Sequence, residues 1–435
     1  MSGNTARPSL RWRIAVGLSR IGAFLVLVGI AECGARLVWG PPEPSLNVVL
    51  EKRDHYFDVE GQGVRTNYQG EFALHSFSMQ PSSRPRVAWL GGSSIRGASL
   101  PELEAPHLVE RSTRTENLNL AAPGLDTRHF LEMLPEVLSF SPDVLVIYTG
   151  HNDRGNAVFS TLYQTAGRQF LARVFSWLGK SRLYSLMRSG SRGLVERLPV
   201  TPTMDLSHAP SQEALTGIRA EFEERLRQIV RQAHSQGVQV VLVTVVSNPL
   251  AHPFAYQCPD ALKALGLSIS HESHGALDIA DLDTEELARL RVENPDCREL
   301  QVFQARLDKV AGEAHAIETL DRLRDAYPLP VSADRATVGT IRRVALEEGV
   351  VLADANAAFR IAGGGIEPPG WFWDPNHLRE AGQQALASVV AESLRSTLQL
   401  QGQGLEMPPL PDLTLDGRPG GLGPQPPPDD LPPMP

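Results

Sequence analysis

Val87-Ala88-Trp89-Leu90-Gly91-Gly92-Ser93-Ser94-Ile95-Arg96-Gly97 changes character at its middle. Four apolar residues give way at once to two glycines and two serines. An apolar run this short, ended by turn residues, reads as a strand buried on both faces. The paired glycines allow a tight turn back into a helix. The same form recurs downstream. Residues 117–120 run into Ala122-Pro123-Gly124-Leu125-Asp126-Thr127, and residues 144–149 into Gly150-His151-Asn152-Asp153. Residues 238–246 are nearly all apolar, and residues 350–353 are a fifth candidate strand. Helical patterns lie between them. Leu215, Ile218, Phe222, Leu226, Ile229 and Ala233 fall on one face at 3.6 periodicity, and Gly237 follows as a C-cap. Residues 378–400 form a last helix rich in Ala, Val and Leu. Strands alternating with helices predict a mainly parallel sheet covered by helices on both faces.

Residues 251–335 interrupt this rhythm and predict a helical insertion within one domain spanning about 45–400. Asp283 and Glu286 have the spacing of a capping box. Phe303, Leu307, Val310, Ala314 and Ile317 then predict one continuous helical face. Two of the three cysteines, Cys258 and Cys297, lie in this segment, and an exported chain would permit a disulfide between them.

The two ends read differently. Arg7, Arg11 and Arg13 precede a mostly apolar stretch, 14–37, of 24 residues. It is long enough to span a bilayer if Arg20 and Glu32 sit at the interfaces. Residues 1–40 are therefore expected to be a retained signal-anchor, with the basic flank inside and the rest of the chain on the exported, periplasmic side of an inner membrane. Pro41, Pro42 and Pro44 end any helix there. Residues 402–435 are rich in proline and glycine, a composition that does not build a core and predicts a disordered tail.

Composition narrows the function. Lys and Arg total 41 against 50 Asp and Glu, a net charge of -9. That balance offers no broad basic footprint for a nucleic-acid backbone. No His/Cys spacing suggests a metal, and no motif calls for a cofactor. The Gly-x-Ser-x-Gly elbow is absent, because Ile95 stands where its last glycine belongs. A ligand in an open parallel sheet binds outside the carboxyl ends of the strands, where the loops at 91–97, 122–127 and 150–153 lie. Asp374-Pro375-Asn376-His377 leads into the last helix.

Taken in order along the chain, these four loops resemble the blocks of the SGNH (GDSL-type) hydrolase superfamily. The matching residues are Ser93, Gly124, Asn152 and the pair Asp374 and His377. The apolar N-terminal segment with Glu32 and Arg36, and Tyr148-Thr149-Gly150-His151-Asn152, look like those of membrane-anchored bacterial members whose substrates are unassigned. The resemblance implies a flavodoxin-like three-layer α/β/α sandwich with five strands. It also implies a catalytic set of Ser93, Asp374 and His377, and an oxyanion hole formed by Ser93, Gly124 and Asn152. The Asp of the namesake Gly-Asp-Ser motif is Gly92 here, so the bracing of the nucleophile loop must differ.

The residue types suit those roles. A serine hydroxyl needs a base to take its proton as it attacks. A histidine titrates near neutral pH, and an aspartate can hold the imidazole tautomer. Ser94 is a rival nucleophile, and Arg96 and Arg154 could hold an anionic or carbohydrate substrate. Asp153 is expected to brace its loop, and Asp354 to lie near the site without an assigned role. The expected activity is hydrolysis of an acyl ester, most simply an acetyl ester, on a cell-envelope carbohydrate or a small alcohol. The same acyl-serine could instead pass its acyl group to a sugar, as in an O-acyltransferase. A non-catalytic glycan-binding protein of envelope assembly is the alternative of another class.

Overall fold

The structure is a computed structural model, and it describes residues 27–29, 31–34, 56–66, 76–96, 101–164, 212–248, 258–266, 282–326 and 332–400. The chain divides into two compact units. One comprises Met1–Asn47, Gln69–Phe72 and Tyr163–Pro202, and of its N-terminal part residues 27–29 and 31–34 are described and helical. Most of the expected signal-anchor lies outside the described residues, as does the whole of the expected tail. Among the described residues, no helix is long and apolar enough to cross a membrane.

The other unit carries the sheet. Strands β4 (Arg86–Gly91), β5 (Glu116–Asn119), β6 (Val144–Tyr148), β7 (Gln239–Val243) and β8 (Val351–Ala353) pair in the order β5-β4-β6-β7-β8. Every pairing is parallel. The order is that of a flavodoxin-like sheet, in which the chain moves to one side of its first strand and then crosses to the other. All residues of β4 and β6 are buried, because helices cover both faces. Helix α2 (Ala105–Thr113) packs with the last helix, α12 (Glu380–Leu398). On the other side α3 (Thr127–Ser139) packs with α5 (Gln212–Ser235), and α5 with α10 (Arg335–Glu347).

Before β4 the chain forms an antiparallel sheet that the sequence reading did not anticipate: β1 (Phe57–Glu60), β2 (Gly63–Thr66) and β3 (Ser76–Ser78). Phe57, Phe77 and Phe140 meet edge to face, with ring centroids 4.9–6.5 Å apart, and seat this sheet on the end of α3. Arg86, fully buried, donates to the carbonyls of Ser78, Met79, Gln80 and Phe140 and pairs with Glu116 at 2.9 Å. One guanidinium therefore satisfies four backbone acceptors and a carboxylate where the small sheet meets the large one.

The described parts of the insertion are helical: α6 (Pro259–Ala264), α7 (Thr284–Glu293), α8 (Arg298–Val310) and α9 (Ala316–Asp325). Asp283 caps α7 by accepting from the N–H groups of Glu285 and Glu286. Cys258 and Cys297 are joined as a disulfide, with Cα atoms 5.9 Å apart. The single helical face expected from Phe303 to Ile317 is corrected. The helix stops at Val310, Gly312 takes a left-handed φ of 80°, and α9 begins afresh. Glycine adopts that conformation without the Cβ clash other residues suffer, so the apolar spacing outlasts the helix that it suggested.

Candidate active site

The loops after β4 and β6 leave the sheet at its topological switch point, where neighbouring connections diverge and open a crevice. Helix α1 (Ser93–Arg96) starts directly after Gly92, whose carbonyl accepts from Ile95 and Arg96 at 3.2 and 3.4 Å. This turn leaves Ser93 partly exposed and buries Ser94. Ser94 is thereby removed as a rival nucleophile, and its carbonyl accepts from Gln383 of α12 at 3.2 Å. Gln383 is fully buried, and its oxygen accepts from the N–H of Ala105 at 3.0 Å. One amide thus clasps α1, α2 and the last helix together.

Ser93 Oγ lies 2.8 Å from His377 Nε2, although 284 residues separate them. The other ring nitrogen, Nδ1, lies 2.5 Å from Asp374 Oδ2. Asp374 Oδ1 accepts from the backbone N–H groups of Asn376 and His377 at 2.9 and 2.8 Å, so the carboxylate organises its own turn. Burial alone would raise the Asp374 carboxyl. The bond to His377, the charge of that ring and the two N–H donors outweigh burial and hold it below its ordinary value. An aspartate so held stays ionised and fixes the imidazole tautomer. Backbone bonds close the loop into a small hairpin: Trp373 N–H to the His377 carbonyl at 2.8 Å and Arg379 N–H to the Trp371 carbonyl at 2.8 Å.

Asn152 opens α4 (His151–Gln164), and its Nδ2 donates to the Leu125 carbonyl at 2.8 Å. An amide nitrogen carries two hydrogens, so this bond fixes the plane of the amide while a second N–H remains to be directed elsewhere. A Cβ on Gly92 would lie 2.6 Å from that nitrogen. Glycine at 92 is what permits Asn152 to press against the turn before Ser93. Gly124 takes a φ of 76°, in the left-handed region, and its carbonyl accepts from Asn156 at 2.9 Å.

Asp153 lies beneath these loops and accepts from Thr127 N, Thr127 Oγ1 and Thr149 Oγ1 at 2.9, 2.5 and 3.0 Å. It joins the second loop to the third. Burial and the nearby Asp126 push its carboxyl up to about 6, against those hydrogen bonds. Asp126 caps α3 and contacts His129 Nδ1 at 2.7 Å.

His151, which the sequence reading quoted without a role, is buried beside Tyr148. Burial, and then the charge of His377, push its imidazole down to about 3. Its Nδ1 accepts from Ala333 N–H at 3.1 Å, so the neutral ring carries its proton on Nε2.

The substrate-holding roles expected of Arg96 and Arg154 are corrected, because both side chains are buried. Arg154 pairs with Asp334 at 3.2 Å. Arg96 lies near Glu104, whose carboxyl burial pushes up to about 8 against the Arg96 charge and a hydrogen bond from Asn119. Asp354 caps α11 (Ala355–Ala362) and pairs with Arg342 at 2.8 Å.

Among the described residues, one trio has ligand-type atoms close enough to share a metal: Cys258, Cys297 and Glu299. Its sulfurs are bonded to each other, which removes them as thiolate ligands. A pocket of about 260 Å³ opens at the amino ends of β7 and β8, lined by His234, Val238 and Val351 among others, at the opposite end of the strands from Ser93.

No protein-family model matches the chain, and no curated protein matches it. Several solved structures are similar. A lipase/acylhydrolase from Enterococcus faecalis has 14% identity, a TM-score of 0.35, and coverage of 73% of this chain and 98% of its own. An acetyl xylan esterase from Geobacillus stearothermophilus has 13% identity, a TM-score of 0.34, and coverage of 73% and 96%. A GDSL-like lipase from Bacteroides thetaiotaomicron has 10% identity, a TM-score of 0.34, and coverage of 72% and 88%. At such scores the likeness adds nothing to what the sheet order and the side-chain geometry carry.

Proposed function

We propose that the chain is an SGNH-type serine ester hydrolase that removes an acyl group, in the simplest case acetyl, from a carbohydrate or other alcohol. The observation that carries this reading is the line of contacts from Asp374 through His377 to Ser93 Oγ. It joins an ionised carboxylate, an imidazole and a partly exposed serine at the carboxyl ends of the strands.

In the reaction, Ser93 Oγ attacks the ester carbonyl carbon as His377 Nε2 takes its proton. The carbonyl oxygen becomes an oxyanion, and the N–H groups of Ser93 and Gly124 and the Asn152 amide are the donors assigned to it. One such donor is worth about 3 kcal/mol of transition-state stabilisation. The C–O bond to the alcohol then breaks, and the alcohol leaves with the proton held by His377. Water repeats the sequence on acyl-Ser93: His377 takes its proton, the tetrahedral adduct forms and collapses, and Ser93 leaves reprotonated with release of the carboxylic acid.

The site is proposed to work on the exported side of a bacterial inner membrane, held by the 1–40 segment. What supports this placement is the basic flank of the apolar stretch and the Cys258–Cys297 disulfide, a bond at home in oxidising compartments.

Turnover of p-nitrophenyl acetate by the full-length protein, beside Ser93→Ala and His377→Ala, tests the reading. Hydrolysis abolished in both variants, with fluorophosphonate labelling lost in Ser93→Ala, is the expected result. Acyl gain on an added glycan in place of acid release would make the protein a transferase. A folded wild type that neither turns over nor takes the label would overturn the reading.

A further inference from the structure

The loop that carries Asp374 and His377 holds a second pair of side chains outside the catalytic contacts. Trp373 is 36% exposed and, among the described residues, is the aromatic ring in the exposed apolar set. The Arg379 guanidinium stacks over its indole, 4.3 Å from the ring centroid. Arg379 Nε also donates to the Phe372 carbonyl at 2.9 Å, and Phe372 bridges to Leu378. The indole is therefore fixed in place at the flank of the hairpin that carries the base, one residue from Asp374. Solvent exposure of an indole is unfavourable in a free protein; here a cation–π contact fixes the ring's orientation while about a third of the residue stays exposed.

We propose that Trp373 is the platform on which a pyranose ring of the substrate's alcohol part stacks, with Arg379 holding it and meeting the sugar's oxygens. The inference rests on the esterase reading for the identity of the site and adds the class of alcohol. The chemistry favours a sugar over a lipid. A pyranose presents axial C–H groups to an indole face and hydroxyl or carboxylate oxygens to a guanidinium at its edge. An acyl chain offers the guanidinium nothing in return for its lost hydration. A rigid platform also binds with little ordering cost, because the pair is arranged before substrate arrives.

The test compares acetylated xylo-oligosaccharides with p-nitrophenyl acetate, which has no sugar, in the full-length wild type, Trp373→Ala and Trp373→Phe. Trp373→Ala is expected to raise KM for the oligosaccharide about tenfold with kcat within about threefold, the pattern of lost uniform binding. Trp373→Phe is expected to recover most of that loss. Equal falls in kcat on both esters would make Trp373 a prop for the base and overturn the proposal. A binding measurement separates this from failure of the esterase reading. Calorimetry titrates Ser93→Ala with acetylated xylo-, manno- and N-acetylglucosamine oligosaccharides, and again with Trp373→Ala added. Binding weakened about tenfold in the double variant supports the platform even if the wild type hydrolyses neither ester. No binding of any of the three sugars, or binding unchanged in the double variant, overturns it.

Discussion

The side-chain nitrogen of Asn152 occupies the space that a Cβ on residue 92 would need, at 2.6 Å. The residue before Ser93 and the proposed oxyanion donor are thus fitted to each other. Yielding would cost Asn152 its bond to the Leu125 carbonyl, 2.8 Å from the same nitrogen. Gly92→Ala is therefore expected to displace the amide and lower kcat/KM on p-nitrophenyl acetate about 100-fold, the scale of a misplacement near 1 Å. Gly92→Asp, which adds a larger side chain at the same place, should be at least as damaging. Full activity in Gly92→Ala would show that Asn152 does not serve the oxyanion.

Asp374→Asn tests the far end of the contact line. An amide presenting N–H toward Nδ1 favours the wrong imidazole tautomer, and kcat should fall about 10³- to 10⁴-fold with KM little changed. Steady-state kinetics on the same ester reads this directly, and a loss below tenfold would remove Asp374 from the mechanism.

Asp153 gives the pH dependence of stability. Its carboxyl titrates near 6 in the fold, raised by burial and by Asp126, against about 3.9 in an unfolded chain. The fold therefore favours the protonated form. Its stabilising contribution is present below about pH 4, declines as pH rises, and is gone above about pH 6. Asp153→Asn cannot ionise, so its Tm relative to wild type should climb between pH 4 and pH 7. Thermal scans across that range check it, and a constant difference would exclude Asp153 as the titrating group.

Arg86 commits one buried guanidinium to four carbonyls and Glu116. Arg86→Met leaves all five acceptors without it, and breaking a buried pair in this way costs about 3–5 kcal/mol. Urea unfolding should show the midpoint fall accordingly. Arg86→Lys should recover only part, since three donors replace five.

The large sheet was legible because its strands are buried on both faces and appear as plain apolar runs. Their ends were less so. Val245 and Val246 carry the apolar pattern beyond β7, but β8 has only three residues to pair with, and the ladder stops there. The small sheet escaped notice because its strands have three or four residues each, too short for a period to show, and are held by the distant Phe140. In the site, Ser93 and Asn152 stood out in loops that directly follow strands, and Asp374 and His377 as the fourth piece of that order, just before the last helix. Gln383 did not, since a glutamine inside a helix has no local signature and its partners lie 278 and 289 residues away. The fit between Gly92 and Asn152 was equally hidden, although Gly92 itself was visible as a departure.

The Gln383 clasp has a consequence in time. Ser93 is made early, but His377 and the helix that holds the turn at Ser94 come near the end of the folded domain. On the proposed chemistry, a growing chain lacks its base through most of its synthesis. Only a chain made as far as α12 can bring that imidazole to the hydroxyl.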